Sequence, residues 1–318
     1  MDFILIIVLF LVGLLLIVKG GDWFLDGAVW IAKTTGVPQF IIGATIVSLA
    51  TTLPELTVSV TGVLTGEVDL AVGNAVGSVT ANIGLILGLS VVCLPSVINR
   101  KQFSFKAILM TLGALLLLIL CANGTLAILP SLLLFAIFIL YLGNNIQDAR
   151  SSMIEQRGQM NERRTVSHRQ MIYKLFLFVI GLVGILIGSQ LLIKYGSQLA
   201  LLLGVPASII GVTLVAVGTS LPELVTTLTA ISKKEASMSV GNIIGANVID
   251  LTMILPICSM TSGGNLAIGQ QTTALDLPAC LTMCLVAVLP PLLKGKFYRW
   301  QGALMLVLYV AYVVLLVT

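Results

Sequence analysis

The sequence predicts an all-α polytopic membrane protein with ten transmembrane helices, arranged as two inverted repeats of five helices each. Three observations predict this fold: the chain is strongly apolar, its basic residues fall on one side of the predicted membrane, and its second half repeats the first. Of the 318 residues, 58% are hydrophobic and only 9% are charged, with a mean hydropathy of +1.11. Soluble domains carry about 25% charged residues, so the composition excludes a cytosolic enzyme, a nucleic-acid binder and a disordered protein.

Ten apolar runs along the chain are each long enough to cross a membrane as a helix, which takes about 20 residues. The longest polar stretch between them runs from Gln147 to Gln170. The predicted spans are residues 3–19, 39–63, 70–98, 104–122, 125–147, 172–193, 206–231, 238–260, 274–293 and 299–317.

The basic residues orient these spans. When the loops are assigned alternately to two sides, 16 of the 17 Lys and Arg residues fall on one side and only Lys194 falls on the other. Basic residues concentrate in cytoplasmic loops. We therefore expect a multi-pass protein of the cell membrane, with both termini outside the cell and a cytoplasmic linker at 148–171.

The second half of the chain repeats the first. GVPQFIIGATIVSLATTLPEL begins at Gly36 and GVPASIIGVTLVAVGTSLPEL at Gly204, while VGNAVGSVTAN begins at Val72 and VGNIIGANVID at Val240. One offset of 168 residues aligns all of them without a gap, with 19 identities over the 47 positions from 36 to 82. Two residues 168 positions apart are termed repeat mates below.

The repeat defines the domain organisation. We expect a first five-helix repeat over 1–147 with its motif at 43–82, and a second over 172–318 with its motif at 211–250. Five is an odd number, so the second copy enters the membrane in the opposite direction. Transporters built in this way place their substrate site near the midplane, at helices that are interrupted.

Prolines and glycines mark the expected interruptions. Pro54 and Pro222 lie within spans 2 and 7, and proline leaves a carbonyl without its helical donor. Paired glycines lie within spans 3 and 8, where they could interrupt the helices or allow close helix packing. These glycines are Gly73, Gly77, Gly241 and Gly245.

Three acidic residues lie deep in the apolar runs: Glu55, Glu223 and Asp250. An ionisable side chain at the centre of a membrane helix costs about 2.5–3.5 kcal/mol on insertion scales. No Lys or Arg lies at the predicted membrane centre to pair with these acids. The sequence therefore predicts that they bind cations from outside the protein.

Glu55 and Glu223 are repeat mates, so a two-fold axis should bring them face to face. Together with freed carbonyls and hydroxyls they would form an all-oxygen cage, which suits hard cations such as Ca²⁺. The alternative is that these polar groups only join helices, and for Asn74 and Asn242 hydrogen bonding at helix ends is an equal alternative. The candidate hydroxyls belong to Thr51, Thr52, Thr219, Ser220 and Ser78.

Other chemistry finds little support. The five cysteines (93, 121, 258, 280 and 284) lie in apolar stretches without metal-ligand spacing, and the one histidine, His168, lies in a polar loop. Zinc chemistry and a Ser/His or Cys/His nucleophile are therefore not expected. We expect no enzyme, no cofactor, no nucleic-acid partner and no protein partner, only the lipid bilayer and transported ions.

The duplicated motif resembles the two α-repeats of the Na⁺/Ca²⁺ exchanger family, within the cation/Ca²⁺ exchanger superfamily. The resemblance rests on ATTLPEL at 50–56 and GTSLPEL at 218–224, each followed by VGN-x-x-G, and it covers nearly the whole chain. The resemblance is to a short, prokaryotic-type member of the family, without regulatory domains. It implies Na⁺/Ca²⁺ antiport by alternating access, with both ions competing for one cage while spans 1 and 6 slide across the core.

The resemblance also implies roles for individual residues. Glu55 and Glu223 would bind Ca²⁺ and Na⁺ alternately, and the carbonyls of Thr51 and Thr219 would complete the Ca²⁺ shell. Asn82, the repeat mate of Asp250, would line the middle of the site together with it. The flanking Na⁺ sites would use the carbonyls of Ser48 and Ala216 and the hydroxyls of Thr52, Ser220 and Ser78.

The sequence departs from the family pattern at several positions. Ala246 stands opposite Ser78, where a serine hydroxyl is common, and so removes one potential ligand from a Na⁺ site. Ala50 replaces a glycine, Thr52 a serine, and Val79 an asparagine that the second copy keeps as Asn247. A proton/Ca²⁺ exchanger or a K⁺-dependent exchanger stays open as an alternative. A cation channel is a more distant alternative.

Overall fold

The computed structural model describes residues 3–159, 168–202 and 218–317. These residues are helical almost throughout, apart from two three-residue strands. The helices, some of which contain a π-helical turn, are α1 (Phe3–Thr35), α2 (Gln39–Thr51), α3 (Leu53–Leu64), α4 (Val68–Cys93), α5 (Arg100–Leu120), α6 (Ile128–Gln159), α7 (His168–Leu202), α8 (Leu221–Ser232), α9 (Ala236–Thr261), α10 (Thr272–Lys294) and α11 (Arg299–Val317).

The all-helical membrane fold predicted from the sequence is confirmed. Among the described residues, eight helices are long and apolar enough to cross a membrane, and the bent pair α2–α3 supplies a ninth span. The predicted seventh span, 206–231, begins outside the described residues, and α8 is its described part. The predicted linker 148–171 begins as a continuation of α6, which ends at Gln159, and α7 begins at His168.

Helix α1 is much longer than the apolar run at 3–19 that predicts it. It continues through Lys19, Gly20 and Gly21 to Thr35. Tertiary contacts hold this polar continuation, since Asp22 and Asp26 both pair with Lys233 at the end of α8, at 3.2 and 2.7 Å. The apolar run ends at residue 19 because only the lipid-facing first part of the helix must be apolar. The second part packs against other helices and can contain polar residues.

Glycines bring α1 and α7 into backbone contact. Gly13, Gly20 and Gly27 recur every seven residues along α1. A methyl group at Gly20 would lie 2.8 Å from the carbonyl oxygen of Gly181, and one at Gly13 would lie 3.1 Å from that of Gly188. Small residues at a helix interface allow this close approach in membranes. The two helices therefore form one tightly packed pair.

The glycines predicted to interrupt spans 3 and 8 do not interrupt them. Gly73 and Gly77 lie within continuous α4, and Gly241 and Gly245 within continuous α9. Glycine inside a helix keeps its backbone hydrogen bonds at a cost of about 1 kcal/mol relative to alanine. Gly241 and Gly245 pack against the backbone of α2 and the side chain of Ser48, so these two glycines serve close helix packing. An added Cβ at Gly73 or Gly77 would meet open space.

Short backbone pairings join loops at the two ends of α5. After α5, strand β1 (Thr125–Ala127) pairs antiparallel with β2 (Asn265–Ala267). Before α5, Val97 forms a bridge with Lys296, and the N–H of Ile98 donates to the carbonyl of Gly295 at 3.1 Å. The repeat mates of 125–127 are 293–295, and those of 265–267 are 97–99. The two pairings thus involve nearly corresponding positions of the two halves.

Candidate cation-binding site

The site is built around two prolines at corresponding positions. Helix α2 ends at Thr51, and after the single residue Thr52 helix α3 begins at Leu53, with Pro54 in its first turn and at an angle of 41° to α2. Thr219 and Ser220 form a turn before α8, which has Pro222 in its first turn. Each proline lacks the N–H that a helix would donate to the carbonyl four residues earlier. The predicted break at Pro54 is confirmed, whereas at Pro222 the described residues begin at Gly218 and show only the turn and the helix that follows it.

The breaks place a glutamate in the first turn of each following helix. Glu55 lies in the first turn of α3 and Glu223 in that of α8. The N-terminus of a helix carries a partial positive charge, which favours a carboxylate there. The two helices are themselves repeat mates, because α3 covers 53–64 and α8 covers 221–232.

The three predicted acids are buried without partners. Glu55, Glu223 and Asp250 are 1%, 0% and 0% exposed, and none of their six carboxylate oxygens has a hydrogen-bond partner. They lie close enough for electrostatic repulsion. Among the described residues no Lys or Arg pairs with them, and the buried Lys106 pairs with Asp148 instead, at 2.6 Å. Buried charges without partners are costly, so this cluster is suited to holding cations.

Hydroxyls of the first repeat face a carboxylate of the second. Thr51 and Thr52 lie close to the Glu223 side chain. Their protons are directed elsewhere, since Thr52 donates to the carbonyl of Ser48 at 2.6 Å and Thr51 donates to Oδ1 of Asn242 at 3.3 Å. The oxygen lone pairs of both hydroxyls therefore remain available to a cation.

Two hydrogen bonds cross between the halves at corresponding positions. Thr219 donates to Oδ1 of Asn74 at 3.0 Å, and its repeat mate Thr51 donates to Oδ1 of Asn242. Asn74 in turn donates to the backbone carbonyl of Glu55 at 3.2 Å and to Ser59 at 2.9 Å. The asparagines of the two VGN motifs thus join α4 and α9 to the helix ends around the two prolines. This is the hydrogen-bonding role that the sequence analysis gave as an equal alternative to cation binding.

One side of the site has a hydroxyl that the other lacks. Ser78 lies 3.3 Å from the hydroxyl of Thr219. The repeat mates of these two residues are Ala246 and Thr51, so the corresponding pair cannot form. Ala246 is fully buried, in keeping with the predicted loss of one oxygen ligand on that side.

Asn82 and Asp250 each begin a π-helical turn, at Asn82–Leu87 in α4 and Asp250–Ile254 in α9. Such turns are frequent at functional sites. Asn82 donates through Nδ2 to Oδ1 of Asn247 at 3.1 Å, and its own Oδ1 is buried without a partner. The sequence analysis did not assign this role to Asn247, although it noted that only the second copy has an asparagine at this position.

Two of the predicted carbonyl ligands, those of Ser48 and Ala216, differ from the other predicted ligands. The carbonyl of Ser48 already accepts hydrogen bonds from the N–H and the hydroxyl of Thr52, at 2.9 and 2.6 Å. The hydroxyl of Thr51 shares its one proton between this carbonyl and Oδ1 of Asn242, each at 3.3 Å. Binding a cation there requires it to give up at least one of them. Ala216, the repeat mate of Ser48, lies outside the described residues.

A fourth buried acid was missed by the sequence analysis. Asp276, in the π-helical turn of α10, is 4% exposed and accepts a hydrogen bond from Tyr312 at 3.0 Å. It is the third residue of the predicted span 274–293, so it was not counted among the acids deep in the apolar runs. Among the described residues no three His, Cys, Asp or Glu side chains converge into a metal cluster. A bound cation must therefore draw on backbone and hydroxyl oxygens as well as carboxylates.

A bundle of membrane-spanning helices around unpaired buried carboxylates defines a polytopic membrane protein with a buried acidic centre. The chain belongs to the sodium/calcium exchanger family, whose model, described as "Sodium/calcium exchanger protein", matches residues 5–147 and 173–318. This is a family of transporters.

Relatives and solved structures agree with this membership. The chain is 34% identical to an uncharacterized membrane protein of Methanocaldococcus jannaschii, MJ0091, over 95% of this chain and 94% of that protein. It is 29% identical to the sodium/calcium exchanger MaX1 of Methanosarcina acetivorans, over 96% and 97%. A structure of the sodium-calcium exchanger NCX_Mj, soaked with Na⁺ and without Ca²⁺, superposes with a TM-score of 0.85 and 31% identity, covering 98% of both chains.

Proposed function

We propose that this protein is a secondary antiporter that exchanges Na⁺ for Ca²⁺ across the cell membrane. The observation that carries the proposal is the pair of buried, unpaired glutamates, Glu55 and Glu223, at helix breaks that are repeat mates. Relatives with this architecture carry the name sodium/calcium exchanger. Since the family is one of transporters, we propose that the chain catalyses no chemical reaction and needs no cofactor.

Competition between the two ions follows from the charge of the site. Ca²⁺ prefers six to eight oxygen ligands, and the same carboxylates attract Na⁺. An empty site leaves the buried charges uncompensated, so crossing without cations is unfavourable. The proposed ligands are the side chains of Glu55, Glu223, Thr52, Ser220, Ser78, Asn82 and Asp250 and the carbonyls of Thr51, Thr219, Ser48 and Ala216.

A cavity lies beside the site. It has a volume of about 260 Å³ and lies between α3 and α7, where Gln190, Ser189 and Ile193 face Pro54, and it reaches Thr219. We propose that it is the entry path for ions. It borders α7, the partner of α1 in the glycine-packed pair, so movement of that pair would open and close it.

An exposed ion pair joins α1 to the end of α8, and we propose that it helps to close the opposite side of the protein. Lys233 contacts both Asp22 and Asp26, at 3.2 and 2.7 Å. With the basic side cytoplasmic, both termini lie outside the cell and the cavity opens outward. The matched helix bounds and reciprocal Thr–Asn hydrogen bonds support two inverted repeats, over 1–147 and 172–318, joined by a linker at 148–171.

Ca²⁺ uptake by proteoliposomes loaded with Na⁺ tests this proposal. We expect uptake that requires the outward Na⁺ gradient and that stops when internal Na⁺ is replaced by K⁺ or choline. Liposomes containing Glu55→Gln serve as the matched control and should take up no Ca²⁺. Uptake that ignores Na⁺ and follows a pH gradient would instead establish proton coupling, and uptake that needs K⁺ would establish K⁺ dependence.

A further inference from the structure

Asn247 holds the side chain of Asn82 in one orientation. Oδ1 of Asn247 accepts a hydrogen bond from Nδ2 of Asn82 at 3.1 Å, across two helices of different repeats. Both residues are buried, at 0% and 1% exposure. Because the amide nitrogen of Asn82 is used in this bond, its oxygen is the atom left free, and Oδ1 has no hydrogen-bond partner.

Asn247 is itself oriented by a residue on α5. Its Nδ2 donates to the sulfur of Met110 at 3.7 Å, within the range for a sulfur acceptor. A thioether accepts hydrogen bonds but has no proton to donate. Met110 therefore favours the orientation in which the nitrogen of Asn247 faces the sulfur and its oxygen faces Asn82. Met110 is fully buried, so water does not offer a competing partner.

The corresponding positions of the other half have a different chemistry. The repeat mate of Asn82 is Asp250, and the repeat mate of Asn247 is Val79. A carboxylate presents an oxygen in either orientation and needs no neighbour to orient it, whereas an amide can present its nitrogen instead. Asn247 thus contacts the amide that needs orienting, while its repeat mate is a valine, whose side chain forms no hydrogen bond.

From these contacts we propose that Asn247, supported by Met110, is a positioning residue that keeps the Asn82 carbonyl oxygen directed toward the transported cation. The inference rests on the proposed function, since it requires a cation at the site. Without Asn247 the amide of Asn82 is free to turn, and its N–H₂ group then presents partial positive charge to the cation. The expected effect is on cation affinity, beyond the stability lost with one buried hydrogen bond.

Equilibrium binding of radioactive Ca²⁺ to the purified full-length protein tests the inference. Loss of one well-directed oxygen ligand in Asn247→Leu should raise the Kd about tenfold, without changing the number of Ca²⁺ ions bound per chain. Met110→Leu, which keeps the volume but removes the sulfur acceptor, should raise the Kd about two- to threefold. Val79→Ala, at the corresponding buried position of the other half, is the control and should leave the Kd unchanged.

A second background separates positioning from a general structural effect. In Asn82→Asp the side chain presents oxygen in either orientation, so adding Asn247→Leu should change the Kd by less than about twofold. An equal loss of affinity in both backgrounds, or an unchanged Kd in the single variant, would overturn the inference. If Asn247→Leu does not fold, an unchanged Kd in Met110→Leu overturns it as well. Wild-type protein that binds no Ca²⁺ would refute the proposed function too, whereas normal wild-type binding isolates the failure to this inference.

Discussion

The hydroxyl of Thr219 donates a hydrogen bond to Oδ1 of Asn74 across 3.0 Å, and the repeat mates Thr51 and Asn242 form the same bond across 3.3 Å. Each bond connects a helix break in one half to the VGN motif of the other. The centre of the molecule is thus held by two reciprocal contacts, which also fix the hydroxyl protons away from the carboxylates. The same contacts bring the two unpaired glutamates onto a common site.

Replacing Thr219 with valine should destabilise the protein. The substitution keeps the side-chain shape but leaves Oδ1 of Asn74 without its donor, and a net hydrogen bond contributes about 1 kcal/mol. Thermal unfolding in detergent should show a lower midpoint. Thr34→Val is the matched control, because its hydroxyl donates to a carbonyl on an exposed surface, at 2.8 Å, and its loss should change the midpoint little. Equal shifts in both variants would contradict the assigned contact.

Replacing either glutamate with glutamine should abolish transport but make the cation-free protein more stable. A central charge costs about 2.5–3.5 kcal/mol on insertion scales, and the neutral amide removes part of that cost. Wild-type protein should gain stability with added Ca²⁺ because the ligand binds only the folded state. Glu55→Gln and Glu223→Gln should lose this gain, whereas the exposed control Glu67→Gln should keep it. Normal Ca²⁺-dependent stabilisation in either site variant would exclude that residue as a ligand.

Adding a methyl group at the α1–α7 contact should impair both stability and transport. In Gly20→Ala the new Cβ would lie 2.8 Å from the carbonyl oxygen of Gly181 and 2.9 Å from the nitrogen of Ile185, so the two helices must separate. Gly143→Ala is the control, because nothing lies within 4 Å of the added carbon. There, alanine should be neutral or stabilise the helix by up to about 1 kcal/mol. Thermal unfolding and Na⁺-dependent uptake measured together check this, and equal behaviour of the two variants would refute the packing argument.

Introducing a serine at position 246 should strengthen Na⁺ binding. Ala246→Ser places a hydroxyl at the repeat mate of Ser78, opposite Thr51, and restores the missing counterpart of the Ser78–Thr219 contact. One added oxygen ligand should lower the Na⁺ concentration for half-maximal activity about threefold. Ser78→Ala should change it in the opposite direction. Na⁺ titration of Ca²⁺ uptake measures both, and no change in either variant would show that these positions do not contact Na⁺.

Much of the fold and the site could be predicted because the chain repeats itself. The offset identified Glu55 and Glu223 as corresponding residues, and helix chemistry predicted the break at Pro54. Acidic residues are costly to insert into a membrane and are therefore rare in apolar runs, so the unpaired acids could be identified as candidate site residues. These inferences use local properties or direct comparison of the two halves, so they require no knowledge of packing.

Other features could not be predicted because they depend on contacts between residues that are far apart in the sequence. The bond between Asn82 and Asn247 joins residues 165 positions apart. The glycines of α4 and α9 could equally have broken those helices, and only their neighbours decide that Gly241 and Gly245 serve packing. Asp276 was missed because it lies at the edge of its predicted span, and its partner Tyr312 lies 36 positions away in the sequence.

Competition between Na⁺ and Ca²⁺ for a single carboxylate site is the central claim, and equilibrium Ca²⁺ binding at increasing Na⁺ tests it most directly. The purified protein should show an apparent Kd for Ca²⁺ that rises steadily with Na⁺ concentration while the maximal number of bound Ca²⁺ ions stays constant. Choline at equal ionic strength should leave the Kd almost unchanged. A Kd for Ca²⁺ that does not depend on Na⁺, or Na⁺ that lowers only the maximal binding, would contradict a shared site.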